Sequence, residues 1–298
     1  MATMSTIDGG DFAEWTALVH RERMMAYHMS PVKAKRALPG TSPASAAVDL
    51  MAEDDGNMSL PCPSAWREKI VEWCFQVVDH CDMDRDLVFI AMSFFDRYLS
   101  RYSVDETLTQ LVAMTCLYLA VKVHSSKKIS ISSIVSLSRG FFRLDQVVKM
   151  EMCIMKSLNW YLNPPTPSTF VDILHPMMLE LTEDEDSMAE IKDLAKYLLE
   201  LSVCDGYFIN KNPSLIAHAA ITAAMNVLAT PIKIQRRLQA LPTSASPPSI
   251  DECAGRLHNI YSVSMSEHQL RRLRREEKPP PLPSSHNVYR ETSRDRLV

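Results

Sequence analysis

Residues 111–123, LVAMTCLYLAVKV, are the most constraining stretch of this chain, because Lys122 is the only charge they contain. A helix on a protein surface has an apolar stripe and a polar face, whereas one that is apolar nearly all round must be covered on every side. The chain therefore has to build a helical bundle around this segment. Residues 215–228, LIAHAAITAAMNVL, follow the opening signal Asn212-Pro213-Ser214 and are also apolar nearly all round. With 298 residues there is room for one or two domains, and two such helices suggest two centres. Only 7 Gly stand against 18 Met, which disfavours strand-and-turn architectures and favours an all-α fold.

Composition also narrows the function classes. No GxxxxGK or GxGxxG is present to cradle a phosphate. The net charge of −4 gives no bulk attraction to nucleic acid or membranes. The cysteines lack CxxC spacing and several lie inside apolar helical runs, so they read as small core residues of a reducing compartment. The nine histidines form no HExxH, and no catalytic grouping can be read. The expectation is a non-enzyme with no cofactor and no metal. The start, MATMSTIDGGDFAEW, lacks the pattern of a secretory signal, and no uncharged apolar run is long enough to span a bilayer.

Residues 1–10 read as disordered, and 11–28 as an amphipathic helix with Asp11 as N-cap. Its Trp15, Leu18 and Met24 or Met25 form a face suited to docking. Five prolines between 29 and 64 mark a linker. Helical spacing then predicts helices over 64–80 (capped by Ser64), 83–100 (opened by Asp84 or Asp86), 105–123, 130–138 (opened by Ser130) and 143–158. Asn163-Pro164-Pro165-Thr166-Pro167 is a strong stop between two halves. The second half predicts helices over 167–180, 184–207, 213–229 and 249–263, a degenerate copy of the first. Beyond about 264 the chain turns polar, with RRLRREE as a solvated helix end and KPPPLPSS as a disordered tail.

Four segments carry a specific resemblance: WREKIVEW (66–73), AMSFFDRYLS (91–100), QLVAMTCLYLAVKV (110–123) and VVKMEMCIMKSLNWYLNPPTPSTF (147–170). Together they resemble the cyclin box, with the family's five characteristic positions falling on Arg67, Asp96, Leu111, Lys122 and Glu151. FINKNPSLIAHAAI resembles the C-terminal cyclin lobe more loosely. The resemblance implies an all-α protein of two cyclin-fold lobes of five-helix type, the second degenerate. Its parts would be an N-terminal helix and flexible linker (1–64), an N-terminal cyclin box (65–162), a C-terminal cyclin-like lobe (163–265) and a disordered tail (266–298).

The resemblance further implies a regulatory subunit that binds and activates a cyclin-dependent serine/threonine kinase in the cell cycle, in nucleus and cytoplasm. Lys122 alone could merely complement a helix dipole, and Glu151 alone could be a solvated charge. In cyclins the matching residues bond the kinase at the rim of an apolar groove, which Leu119, Val123, Met155 and Trp160 would line here. Arg67 and Asp96 match a structural ion pair joining the first two helices of the box. Trp66, Ile70, Trp73 and Gln110 match a patch that binds RxL-type substrates or inhibitors. Glu68 and Lys69 depart from that patch by adding charge, and Gln76 replaces the acid that would pair the motif's arginine. A different reading makes the chain a cyclin-fold adaptor in transcription, binding protein or nucleic acid. That reading requires a basic stripe on one lobe, and 65–265 contains no basic cluster.

Overall fold

Good local start signals open most of the helices. In the computed structural model, which describes residues 9–29, 64–102, 104–181, 184–238 and 241–276, the main elements are all helical. They are α1 (Gly9–Met29), α2 (Ser64–His80), α3 (Asp86–Leu99), α4 (Glu106–His124), α5 (Ile131–Leu137) and α6 (Leu144–Ser157). The second half contributes α7 (Pro167–Leu181), α8 (Glu185–Cys204), a 3-10 turn (Gly206–Phe208), α9 (Pro213–Val227), α10 (Ile232–Leu238) and α11 (Pro247–Glu276). Asp105 caps α4 by accepting from Leu108 N at 2.6 Å, and Ser130 caps α5 by accepting from Ser133 N at 3.1 Å. Gln146 closes the start of α6 by accepting from Arg143 N at 2.8 Å.

Some sequence expectations change. Asp11 does not cap α1; it sits in the first turn of a helix that begins at Gly9, where its charge favours the positive end of the dipole. Asp84 stands before α3 and accepts from Asp86 N at 2.9 Å, so the helix opens later than the apolar spacing suggests. Helix α10 has no counterpart among the predicted elements. Helix α11 runs through the start of the segment expected to be a disordered tail and reaches Glu276. The expected linker over 30–63, the Ser64 side chain as a cap, and the tail from 277 onward lie outside the described residues.

The chain divides into two units, Met1–His258 and Asn259–Val298, with α11 crossing the division. Within the first unit, α4 is surrounded by α2, α3, α5 and α6, and α9 is surrounded by α7, α8 and α1. The two apolar-all-round helices are thus the centres of the two lobes. By length and composition α4 could cross a bilayer, but 67% of its apolar window is buried inside the protein. Leu117, Leu119 and Ala120 of α4, and Ala217, Ala219 and Ala220 of α9, are 1% exposed or less. Cys74 and Cys116 belong to the first core, and burial pushes the Cys74 thiol up to about 12.

Helix α1 ties the lobes together. Its Trp15 ring meets Phe170 at 5.2 Å and His218 at 5.4 Å, both edge-on. Leu18 is fully buried and Met25 nearly so, while Met24 faces out, which settles the choice between the two methionines. The face therefore docks mainly on the second lobe. On the first-lobe side, Tyr161 Oη donates to the Arg21 carbonyl at 3.3 Å. Glu22, 2% exposed, accepts from Ser214 N at 2.7 Å and from Ser214 Oγ at 2.8 Å. Asn212, at the N-cap of α9, makes no side-chain cap, so a carboxylate from a distant helix satisfies that end instead. Burial raises the Glu22 carboxyl, against the pull of the Ser214 bonds.

Buried His218 gives this packing a pH dependence. Its Nδ1 lies 2.9 Å from the Ser214 carbonyl, and burial lowers its pKa below 6.5. The unfolded chain then binds more protons than the folded one, so this contribution to stability is complete above the unfolded value. It is lost as the pH falls from there through the lower, folded pKa. Urea midpoints between pH 7.5 and 5 should therefore drop more steeply for the wild-type chain than for His218→Gln. Parallel pH profiles would contradict the assignment.

Candidate functional site

The C-terminal end of α4 and one flank of α6 meet at an ion pair. Lys122 Nζ donates to Glu151 Oε1 at 2.6 Å, with side chains 51% and 9% exposed. The bond from Glu151 raises the Lys122 pKa, and the ammonium also stands 5.7 Å over the Tyr118 ring. The last carbonyls of α4 have a different cation: Lys128 Nζ donates to the Lys122 carbonyl at 2.9 Å and also to that of Ser125. Lys122 is thus released from the end-cap role that a lone C-terminal lysine suggests.

Each residue of an α-helix advances by about 100°. On α6 this places Leu144, Val148, Glu151 and Met155 in one narrow stripe, with Met152 at its edge. Val147, Met150 and Ile154 form an adjoining stripe, about 100° further round the axis, and are buried. Along the first stripe and its edge Leu144 is 49%, Val148 46% and Met152 42% exposed, although all three are apolar. Val123, beside Lys122, is also exposed, and Met155 is half-buried. Trp160 is 60% exposed because Asn159 and Trp160 both take positive φ, 51° and 60°, as α6 ends. Two successive non-glycine residues in that region, one of them bulky, are uncommon and hold the indole off the core.

One expected groove residue is not at the surface. Leu119 is 1% exposed, since it lies one turn deeper in α4 where neighbouring helices cover it. It can support the site from beneath but cannot touch a ligand. Conversely, Leu144, Val148 and Met152 were not singled out from sequence. Their signal was legible: the apolar residues of α6 spread over an arc wider than the stripe that one core covers.

Arg67 and Asp96 meet in the interior. Arg67 Nη2 donates to Asp96 Oδ2 at 3.0 Å, Nη1 donates to Oδ1, and Nε donates to the Val203 carbonyl at 3.0 Å. The fork therefore joins α2 to α3 and also reaches α8 of the second lobe. Burial raises the Asp96 carboxyl against the pull of the guanidinium.

The residues of the other expected patch divide. Trp66 and Trp73 are half-buried, and Gln110 is exposed. Ile70 is 8% exposed, so it belongs to the floor of the helix face rather than to a contact surface. Lys69 and Glu68 are exposed, and Gln76 Nε2 donates to Glu72 Oε1 at 3.4 Å. Among the described residues no group of three or more His, Cys, Asp or Glu side chains is gathered for a metal.

A helical lobe centred on α4, a second centred on α9 and a crossover at 158–166 define a two-lobe, all-helical fold. Residues 51–163 match the family model described as "Cyclin, N-terminal domain" and residues 165–288 the one described as "Cyclin, C-terminal domain". The chain belongs to the cyclin family. It is 29% identical over 155 residues to "Putative cyclin-B3-1" of Arabidopsis thaliana, covering 52% of this chain and 37% of that relative. It is 30% identical over 162 residues to "G2/mitotic-specific cyclin-B2" of Gallus gallus, covering 54% of this chain and 39% of that relative. The match thus spans about two fifths of the length of these curated relatives. Among solved structures, a viral cyclin from herpesvirus saimiri superposes with a TM-score of 0.59 at 14% identity, covering 83% of this chain and 96% of that one. That likeness concerns the fold.

Proposed function

We propose that this chain is a regulatory subunit that binds a cyclin-dependent serine/threonine kinase and holds it active during cell-cycle progression. The lobes over 65–162 and 163–265 form its body, and it acts in nucleus and cytoplasm. The observation that carries the reading is the stripe on α6 and its surroundings. Leu144, Val148, Met152, Val123 and Trp160 remain exposed around the Lys122–Glu151 pair. An apolar centre with fixed charges at its edge gives a partner both affinity and register. In the free chain the two charges satisfy each other. Docking would exchange that bond for bonds to the kinase, while the apolar stripe leaves water. No bond-making is required of the subunit: it would hold mobile kinase elements in place. Docking-motif substrates or inhibitors would sit on Trp66, Trp73 and Gln110, with the affinity altered by Lys69 and Gln76.

The test uses the full chain and the kinase that co-purifies with it. Lys122→Ala/Glu151→Ala should abolish kinase activation while leaving the urea midpoint near that of the wild-type chain, because both charges leave together and the nearly buried Glu151 carboxylate is not stranded without its partner. Val148→Asp should weaken capture of the kinase by about tenfold or more. Full activation by the double variant would show that the docking surface lies elsewhere.

A further inference from the structure

Phe141 is 78% exposed, the most exposed large apolar side chain among the described residues. Its neighbour Phe142 is 7% exposed, so the core takes one ring of the pair and leaves the other in water. The turn that divides them is densely bonded. Ser138 N donates to the Val135 carbonyl and Arg139 N to that of Ser136, both at 3.0 Å, which closes α5. Phe141 N donates to the Ser138 carbonyl at 3.1 Å, and Phe142 N to Ser138 Oγ at 3.2 Å. Between these bonds Arg139 and Gly140 take positive φ, 51° and 87°, the second at a residue without a Cβ to oppose it. Arg143 then stands at the N-cap of α6, and buried Phe142 and Val147 occupy the two positions of a hydrophobic staple. Bonds before Phe141 and packing after it fix the backbone there, so the exposure of the ring is built into the turn.

We infer that Phe141 is an anchor residue for the kinase partner, its ring entering an apolar pocket on that protein. The inference rests on the proposed function and extends its docking surface to the N-terminal end of α6. Leu144, which begins the exposed stripe, follows three residues later, so the two Cα atoms are at most about 11 Å apart. Leu137, four residues before Phe141, is also exposed. Trp160 stands beyond the other end of α6, whose 14 residues span about 21 Å. A stable interface buries about 800 Å² on each partner, a patch roughly 28 Å across. A contact of that size centred on the stripe covers the length of α6 and so reaches Phe141. Aromatic side chains are enriched at interfaces, where a few buried anchors carry most of the binding energy. A ring held in place by its turn also adds little ordering cost when it docks.

The test is biolayer interferometry of the full chain with the kinase that co-purifies with it, separated and then re-bound to each variant. Phe141→Ala should weaken binding about tenfold or more, and Phe141→Leu less, because leucine keeps much of the apolar surface. Ile232→Ala, which removes a 67% exposed apolar side chain from α10, should leave binding unchanged. The urea midpoint of Phe141→Ala should equal that of the wild-type chain. A lowered midpoint would show that the ring serves the fold and would overturn the inference, as would equal weakening by Ile232→Ala. Wild-type binding by Phe141→Ala, with Val148→Asp still weakened, would overturn it while leaving the proposed function standing. If neither variant weakens binding, the α6 surface is not the kinase site and both readings fail.

Discussion

Replacing Arg67 by alanine should destabilise the fold by about 3–5 kcal/mol, the range for removing one member of a buried ion pair. The side chains of Arg67 and Asp96 are 7% and 13% exposed, so screening by water is slight. The substitution deletes both donors to Asp96 and the donor to the Val203 carbonyl. Asp96 is left without its counter-charge in a site that already disfavours ionisation. The loss should consequently be smaller at pH 5 than at pH 8, because a protonated carboxyl needs no counter-ion. Thermal unfolding should show a lowered midpoint, by about 2–4 °C for each kcal/mol in a domain of this size class. Arg67→Met/Asp96→Leu should recover much of the loss, since a shape-filling apolar pair avoids the desolvation cost. A midpoint for Arg67→Ala equal to that of the wild-type chain would mean that the pair contributes nothing.

The second large effect concerns α1. Trp15→Ala should cost about 3–5 kcal/mol, because a nearly buried indole is lost from between Phe170 and His218. Glu22→Ala should cost less, about 0.5–2 kcal/mol, since it removes a cap from α9 but also removes a buried charge. Removing 1–29 entirely should lower the midpoint at least as far as Trp15→Ala alone. If truncation leaves stability unchanged, α1 is an appendage and its contacts carry no weight.

These two cases show where sequence reading succeeds and where it stops. Arg67 and Asp96 could be paired because the spacing of five residue types resembles a known box, and each sits in a helix that local signals define. The Glu22 cap could not be seen. Asn212-Pro213 announces the start of α9, and Asn is a common N-cap residue, yet its side chain makes no capping bond and a carboxylate nearly two hundred positions earlier takes the role. No local rule connects residues so far apart in sequence. Lys128 is a similar case: it caps α4 from beyond the helix, and so frees Lys122 for Glu151.

The sequence by itself determined the helical class, the two central helices, the break near 163–167 and the residues that share each helix face. These follow from the 3.6-residue period, from Gly and Pro usage, and from the demand that an all-apolar helix be enclosed. Only the tertiary structure decided which faces are covered. It buried Leu119 and Ile70, left Leu144, Val148 and Met152 in water, and turned Trp160 outward through two positive-φ residues. The period orders side chains around one helix axis, whereas burial depends on the other helices that arrive from elsewhere in the chain.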